Sequence, residues 1–526
     1  MNEQILSLIL LVPLVGAALV ALAPDRGKLS AWLALLTTLT TFGLILHLPV
    51  HFILGKSGFQ YEVNHLWIEY PAIHYHLGVD GLSLWLVVLT GLLGPVGVVA
   101  SWKAIKDRRK IFYFLFLVQQ TAMLGVFVSI DLMLYYGFWE LSLVPMAVLI
   151  AFFGRKNGPR AAVKFFLFTF IPSAPLLVAI LWLYAKTGTF DFALMQQLIA
   201  VGALPTEGLY WASLAFLLAF AVKVPVFPLH GWLADVFSEA PVALAMVVAG
   251  KLGLYSMLRF HVGLFPVQSR MVGPVLVALA VIGILYGAAL ALVQRDFWKL
   301  AAYAAISHLS FATLGIYGFT QTGMDGAVYQ ILNHGVTDGA LLVLLGALEL
   351  RFGSSQIGLY GGAARRLPHL ATLFVITGLS LIGLPLLNGF VSEFLILSGT
   401  FTGASRSWAI AATVGVILSA VYLLTLVQRI FYGPEEELIV SQPMARDLDG
   451  REWSTVGVLA VLMVVMGVAP GLILPAIEGA VRPPLKHSVV LPVPVPLVAG
   501  VSRSLTRLNH SVRGLNDALI RGEEQR

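Results

Sequence analysis

Long apolar runs recur from one end of this chain to the other, at Ile5–Leu22, Leu77–Ala100, Trp211–Val222, Val272–Val293 and Val456–Leu474 among others. A helix that crosses a bilayer needs roughly 20 such residues, and about fourteen segments qualify. Few architectures accept this pattern. Hydrocarbon offers backbone amides no hydrogen-bond partner, so a crossing segment satisfies them internally. Only 11% of the 526 residues are charged and 58% are hydrophobic, whereas a soluble domain carries about a quarter charged residues. The sequence therefore predicts an all-α polytopic membrane protein with about fourteen transmembrane helices. The first run lacks a convincing small-residue cleavage site and reads as a retained helix rather than a signal peptide.

The net charge of +6 reports orientation rather than affinity for nucleic acid. Arg26 and Lys28 follow the first predicted span, Lys103 to Lys110 the third, Arg155, Lys156 and Arg160 the fifth, Arg295 and Lys299 the ninth, and Arg351, Arg365 and Arg366 the eleventh. The alternate loops hold Glu62, Glu69, Asp191 and Glu207. By the positive-inside rule the odd-numbered loops are cytoplasmic, which puts both termini on the opposite side.

Two predicted spans are broken. Pro225 and Pro228 interrupt the seventh, and Gly383, Pro385 and Gly389 interrupt the twelfth. Five helices separate the breaks, and a repeat of odd length would invert its second copy. Paired broken helices in inverted halves are a recurrent transporter arrangement, with ion sites near the breaks. The organisation expected is residues 1–110 for three N-terminal helices, 111–265 for a first five-helix repeat, 270–432 for an inverted second one, 454–475 for a last helix, and 476–526 for a tail. In the tail, Leu505, Leu508, Val512, Leu515 and Leu519 are spaced as on an amphipathic surface helix, a reading that Gly514 weakens. The loop 52–76 is rich in Tyr and Trp and suits an interfacial cap, and 435–452 reads as an exposed loop.

Ionisable residues stand out against the apolar background: Glu140, Lys223, Lys251, His308, His334 and Glu393 each lie several residues from the nearest loop. Such residues at mid-membrane depth are costly and mark ion pathways. Lys251 has the alternative of snorkelling along its stem, and either histidine alone suits a hydrogen-bonded core position. The short side chains of Glu140 and Glu393 have no such escape. Asp131 and Glu349 read as helix-end residues and Lys164 as a cytoplasmic snorkeler. A lysine whose carboxylate partner approaches and withdraws can take up a proton and give it back. Pro225 cannot donate to the carbonyl of Ala221, nor Pro228 to that of Val224, nor Pro385 to that of Leu381. The expectation is that the first two carbonyls face the Lys223 ammonium.

The chain lacks cysteine, which excludes disulfides and thiolate or iron–sulfur ligation by its own residues. It has no phosphate-binding loop, dinucleotide fingerprint or metal-ligand spacing. Haem ligation by His308 and His334 lacks the small flanking residues and cationic partners usual for it. No cofactor-binding or metal site is expected in this chain.

At these positions the sequence resembles the antiporter-like membrane subunits of respiratory complex I, over roughly 77–474. The matching segments, in order, are DGLSL (Asp80–Leu84), FWELSLVPM (Phe138–Met146), AVKVPVFPLHGWLADVFSEAP (Ala221–Pro241), KLGLY (Lys251–Tyr255), AAYAAISHLSF (Ala301–Phe311), NHG (Asn333–Gly335) and GLPLLNGFVSEF (Gly383–Phe394). The family's subunit M (chain 4) type has glutamate at the position of Glu393, where the L and N types usually have lysine. The resemblance thus implies the M branch and a proton-translocating subunit of NADH-quinone oxidoreductase. It implies fourteen core helices, inverted repeats over helices 4–8 and 9–13, and a proton half-channel in each. It also implies that Glu140 pairs with Lys223, that Lys251 links onward through His308 and His334, and that Glu393 serves the exit. NADH, FMN, iron–sulfur clusters and quinone are expected in partner subunits, with L- and N-type chains as neighbours in a bacterial inner membrane. Multi-subunit Na⁺/H⁺ antiporters (Mrp) and membrane-bound hydrogenase-type complexes share nearly all these motifs and are the alternative reading.

The sequence departs from the pattern in three places. Ala234 stands where proline commonly follows WL, Trp298–Lys299 replaces a basic pair, and Asp338 lies one turn after His334 where a small neutral residue is expected. Residues four apart share a helix face, so Asp338 is placed to pair with His334.

Overall fold

The computed structural model describes residues 4–24, 28–56, 58–243, 251–442, 445–478 and 480. The amphipathic pattern expected at 505–519 lies outside them. Among the described residues, eleven helices are long and apolar enough to cross a membrane. The remaining three predicted spans are the two broken ones and the segment that the structure describes from Lys251 onward.

In chain order, α1 (Ile5–Leu22) and α2 (Leu29–Ile45) precede a hairpin of β1 (Gln60–Ile68) and β2 (Ile73–Val79). Then come α3 (Gly81–Ser101), α4 (Arg109–Val128), α5 (Leu132–Leu141), α6 (Leu143–Phe153), α7 (Gly158–Thr187), α8 (Thr206–Lys223) and α9 (Leu233–Glu239). A short helix α10 (Lys251–Ser256) passes into a wider π-helical turn (Met257–Val262). The second half holds α11 (Pro266–Val293), α12 (Phe297–Tyr317), α13 (Gln321–Phe352), α14 (Pro368–Leu381), α15 (Asn388–Thr402), α16 (Arg406–Phe431) and α17 (Gly450–Val468).

Helix ends follow local chemistry. The first amides of a helix have no partner within it, and an Asp side chain at the N-cap accepts from them. Asp80, Asp131, Asp296 and Asp449 do this for α3, α5, α12 and α17. Asp131 is thus the helix-end residue expected, and its other oxygen accepts from the His74 amide of β2 at 3.0 Å. Pro145 cannot donate to the carbonyl four residues earlier, and the fifth span accordingly divides at Ser142 into α5 and α6. The Ser142 hydroxyl donates to the Trp139 carbonyl at 2.7 Å across the joint.

Two loops differ from expectation. The aromatic segment 52–76 contains the antiparallel hairpin, held to the helices by the Ile130 amide donating to the His76 carbonyl. The segment 435–452 contains a short helix, Glu437–Val440, and the start of α17. The capping box of Asp449 and Glu452 sets that start earlier than the apolar run alone suggests.

α13 is the innermost helix. Its most apolar 18-residue stretch is wholly buried, and it packs against α3, α12, α14, α15 and α17. By contrast α1, α7 and α16 expose Leu11, Leu19, Ile171, Val178, Ile410 and Ile417, as helices facing lipid or a partner do.

Candidate functional site

The site begins at the end of α8. Helix stops at Lys223, irregular backbone follows, and helix resumes at Leu233. Pro225 and Pro228 remove two donors, as predicted, and one of the two carbonyls they leave finds a replacement. The Val226 amide donates to the Ala221 carbonyl at 2.9 Å, and the Trp232 indole donates to the Val222 carbonyl at 2.9 Å. The Ala221 carbonyl is therefore engaged by an amide and is not left for the ammonium. Sequence identifies the lost donor; it does not show which other donor the turn brings round.

Lys223 is instead surrounded by aromatic faces. Its Nζ lies 5.4 Å from the Trp139 ring centroid and 5.3 Å from that of Phe165. The quadrupole of such a ring attracts an ammonium, most strongly where water is excluded. Lys223 is 6% exposed. Glu140, next to Trp139, is within electrostatic reach of it, and Glu140 Oε1 is buried with no hydrogen-bond partner among the described residues. The two charges face each other without closing into an ion pair. Lys164 is more than a snorkeler: its ammonium contacts Asp235 at 2.6 Å and donates to the Gly231 carbonyl at 2.7 Å, fixing the far side of the break.

Lys251, at the start of α10, is 3% exposed. Its helix approaches the break closely, for a Cβ at Gly253 would come 3.0 Å from the Phe220 carbonyl. Lys251, His308 on α12 and His334 on α13 all lie within electrostatic reach of Asp338. His334 Nε2 is 2.8 Å from Asp338 Oδ2. That contact has the distance of an ion pair but not the alignment of a hydrogen bond, since both atoms lack a hydrogen-bonded partner. The structure thus brings three of the predicted residues around a carboxylate that the sequence marked as a departure and placed beside His334 alone.

Glu393, 5% exposed, lies on α15 just after the second break. Gly383 in that break has φ +79°, a conformation that disfavours any side chain. A Cβ there would come 2.6 Å from Glu393 Oε2. Gly389 has a tighter fit, its Cβ position being 1.9 Å from the Ser380 carbonyl oxygen. A buried polar network fastens both halves of the broken span to α13. The Ser392 hydroxyl donates to Gln330 Oε1 at 2.5 Å, the Asn388 amide to Thr337 Oγ1 at 3.1 Å, and the Ser380 hydroxyl to Asn388 Oδ1 at 2.5 Å. Gln330, Asn333 and Thr337 sit at three- and four-residue spacing, a polar stripe that was visible in the sequence.

Tyr422 on α16 is the aromatic that sequence gave no reason to single out. It is 1% exposed, its hydroxyl has no hydrogen-bond partner among the described residues, and it is within electrostatic reach of both Asp338 and Glu393. Elsewhere, Arg155 closes the expected helix-end position of Glu349 with an ion pair of 2.6 Å. Among the described residues, no three His, Asp or Glu side chains are grouped to hold a metal ion.

Residues 129–420 match the family described as NADH:quinone oxidoreductase/Mrp antiporter, and 28–130 match the amino terminus of NADH-ubiquinone oxidoreductase chain 4. The chain is 37% identical to NADH-quinone oxidoreductase subunit M of Rhodobacter capsulatus, over 90% of this chain and 94% of that one. The chain belongs to the NADH-quinone oxidoreductase subunit M family. The subunit M of Mycobacterium tuberculosis is 35% identical over 96% of this chain and 99% of its own. A chain of respiratory complex I from Thermus thermophilus superposes with a TM-score of 0.81 at 32% identity, covering 90% of this chain and 98% of that one. The Mrp complex from Dietzia sp. shares the fold alone, with a TM-score of 0.79 at 20% identity, over 93% of this chain and 99% of its match.

Proposed function

We propose that this chain translocates protons as the M-type membrane subunit of an NADH-quinone oxidoreductase. One observation carries the reading: Lys223, Lys251, His308, His334 and Glu393, in a chain of this family, are each no more than 6% exposed. No purely structural role accounts for so many buried ionisable groups. Glu140 and Lys223 load the proton, the Lys251–His308–His334 cluster conducts it, and Glu393 releases it. The separation of Glu140 from Lys223 leaves room for the pair to close and open. Closing favours the ammonium; opening, in a water-poor site, releases its proton.

NADH, FMN, iron–sulfur clusters and quinone belong on this reading to partner subunits, whose electron transfer drives the charge rearrangements here, and this chain holds no electron-transfer site. L- and N-type subunits flank it in a bacterial inner membrane, with both termini periplasmic. Residues 111–265 and 270–432 act as inverted half-channels. The breaks after Lys223 and before Glu393, one in each segment, support that division.

The test is Lys223→Ala and Glu393→Ala in the native membrane complex, read by quinone-coupled proton pumping. Loss of pumping in both is expected. Pumping at full stoichiometry in both overturns the reading, and a sodium requirement in its place supports the antiporter alternative.

A further inference from the structure

The interior line described above contains one buried carboxylate with no part in it. Asp338 is 5% exposed and sits one turn after His334 on α13, the helix whose middle is wholly buried. Titratable groups from four helices lie within electrostatic reach of it. Lys251 comes from α10, His308 from α12, His334 from α13 itself, and Tyr422 from α16. Asp338 is a carboxylate within electrostatic reach of all three cationic or cationisable partners, and it contacts His334 Nε2 at 2.8 Å.

An ordinary helix-stabilising pair does not explain it. A carboxylate four residues from a basic group adds little to a helix, while desolvating that carboxylate costs more than its mutual attraction usually returns. Removing either partner alone would leave a charge stranded in a low-dielectric interior. A charge kept at such expense is worth asking a function of.

We propose that Asp338 is a fixed counter-charge, a positioning residue that holds the travelling proton on the central cluster until Glu393 accepts it. This rests on the proton-translocation reading above. Lys251 and Asp338 together are neutral, so the cluster can take one further proton on an imidazole of His308 or His334 without accumulating two uncompensated charges. That step forms an N–H bond. On transfer the N–H bond breaks and an O–H bond forms on the Glu393 carboxylate, while Asp338 stays ionised throughout. Tyr422 on α16 is within electrostatic reach of both Asp338 and Glu393, between which this transfer runs.

The experiment uses the whole complex carrying Asp338→Asn or Asp338→Glu, purified and reconstituted in liposomes. Assembly is checked by native electrophoresis and by NADH oxidation with hexacyanoferrate, which bypasses the membrane subunits. D338N keeps the shape and removes the charge, so pumping falls at least tenfold in an assembled complex. D338E keeps the charge and restores at least half of wild-type pumping. Wild-type stoichiometry in D338N overturns the proposal, and so does an assembled D338E that pumps as poorly as D338N, because packing alone would then be at stake. Should D338N not assemble, D338E decides by the same thresholds. Lys223→Ala and Glu393→Ala run alongside: if they also pump normally the translocation reading itself fails, whereas their loss beside a normal D338N rejects Asp338 alone.

Discussion

The second break makes a sharp demand of a single glycine. Gly383 has φ +79°, and a methyl group there would sit 2.6 Å from Glu393 Oε2. Gly383→Ala therefore imposes two separate costs. The left-handed backbone costs about 1 kcal/mol for a residue with a Cβ. The contact is also shorter than any real Cβ contact, so the carboxylate must retreat by roughly 1 Å to reach ordinary van der Waals distance. A displacement of that size in a reacting group lowers a rate by about a hundredfold. Gly433 separates the two costs, because its φ is +90° and a Cβ there would meet nothing within 4 Å. Gly433→Ala should carry the backbone strain and pump normally. Gly383→Ala should carry the same strain and lose proton pumping by one to two orders of magnitude, measured as NADH-driven dye quenching in proteoliposomes at matched complex content. If the two variants pump alike, the Glu393 carboxylate does not need the position it occupies, and the reasoning that ties the break to the exit group is wrong.

Two further outcomes are expected. Trp139→Leu removes one of the two rings facing the Lys223 ammonium, an attraction of about 1–2 kcal/mol in a desolvated setting. Pumping should fall several-fold while Trp139→Phe retains most of it, and equal activity in both would exclude a role for the ring. At the far end, burial pushes the Asp449 carboxyl up, but Lys103, the Glu452 amide and Arg451 outweigh it and hold the group below the usual carboxylate range. A carboxyl depressed on folding stabilises the fold above its unfolded value, and that contribution is lost as pH falls through the folded value. Thermal unfolding of the complex should therefore show an acid-side loss below about pH 4 that Asp449→Asn reduces, and an unchanged acid limb in that variant would refute the assignment.

Much of this was legible beforehand, for reasons that can be named. A charge inside an apolar run has almost no background to hide in, so Glu140, Lys223, Lys251, His308, His334 and Glu393 could be picked from the letters alone. Proline and glycine likewise disclosed both breaks, because each changes the backbone regardless of what surrounds it. Partners were harder. Trp139 and Phe165 are ordinary residues for a membrane helix, and only the fold turns their faces toward Lys223. Tyr422 is silent in the same way. The Ala221 carbonyl was misjudged because a lost donor is a local fact, whereas its replacement by the Val226 amide depends on how the chain turns. The β-hairpin was missed because its aromatic residues suited an interfacial loop equally well.

α13 shows where a membrane protein can keep its polar chemistry. With 32 residues it is about 48 Å long, well beyond the roughly 30 Å of hydrocarbon, yet its middle is screened by other helices from everything outside. A helix in that position is released from the selection for greasiness that lipid imposes on its neighbours. That is why Gln330, Asn333, His334, Thr337 and Asp338 can follow one another along it. The surrounding helices form a sheath around its polar side chains. A bilayer that thickens, thins or changes its headgroups presses on α1, α7 and α16, while those side chains keep one constant environment in whatever membrane the sheath is placed.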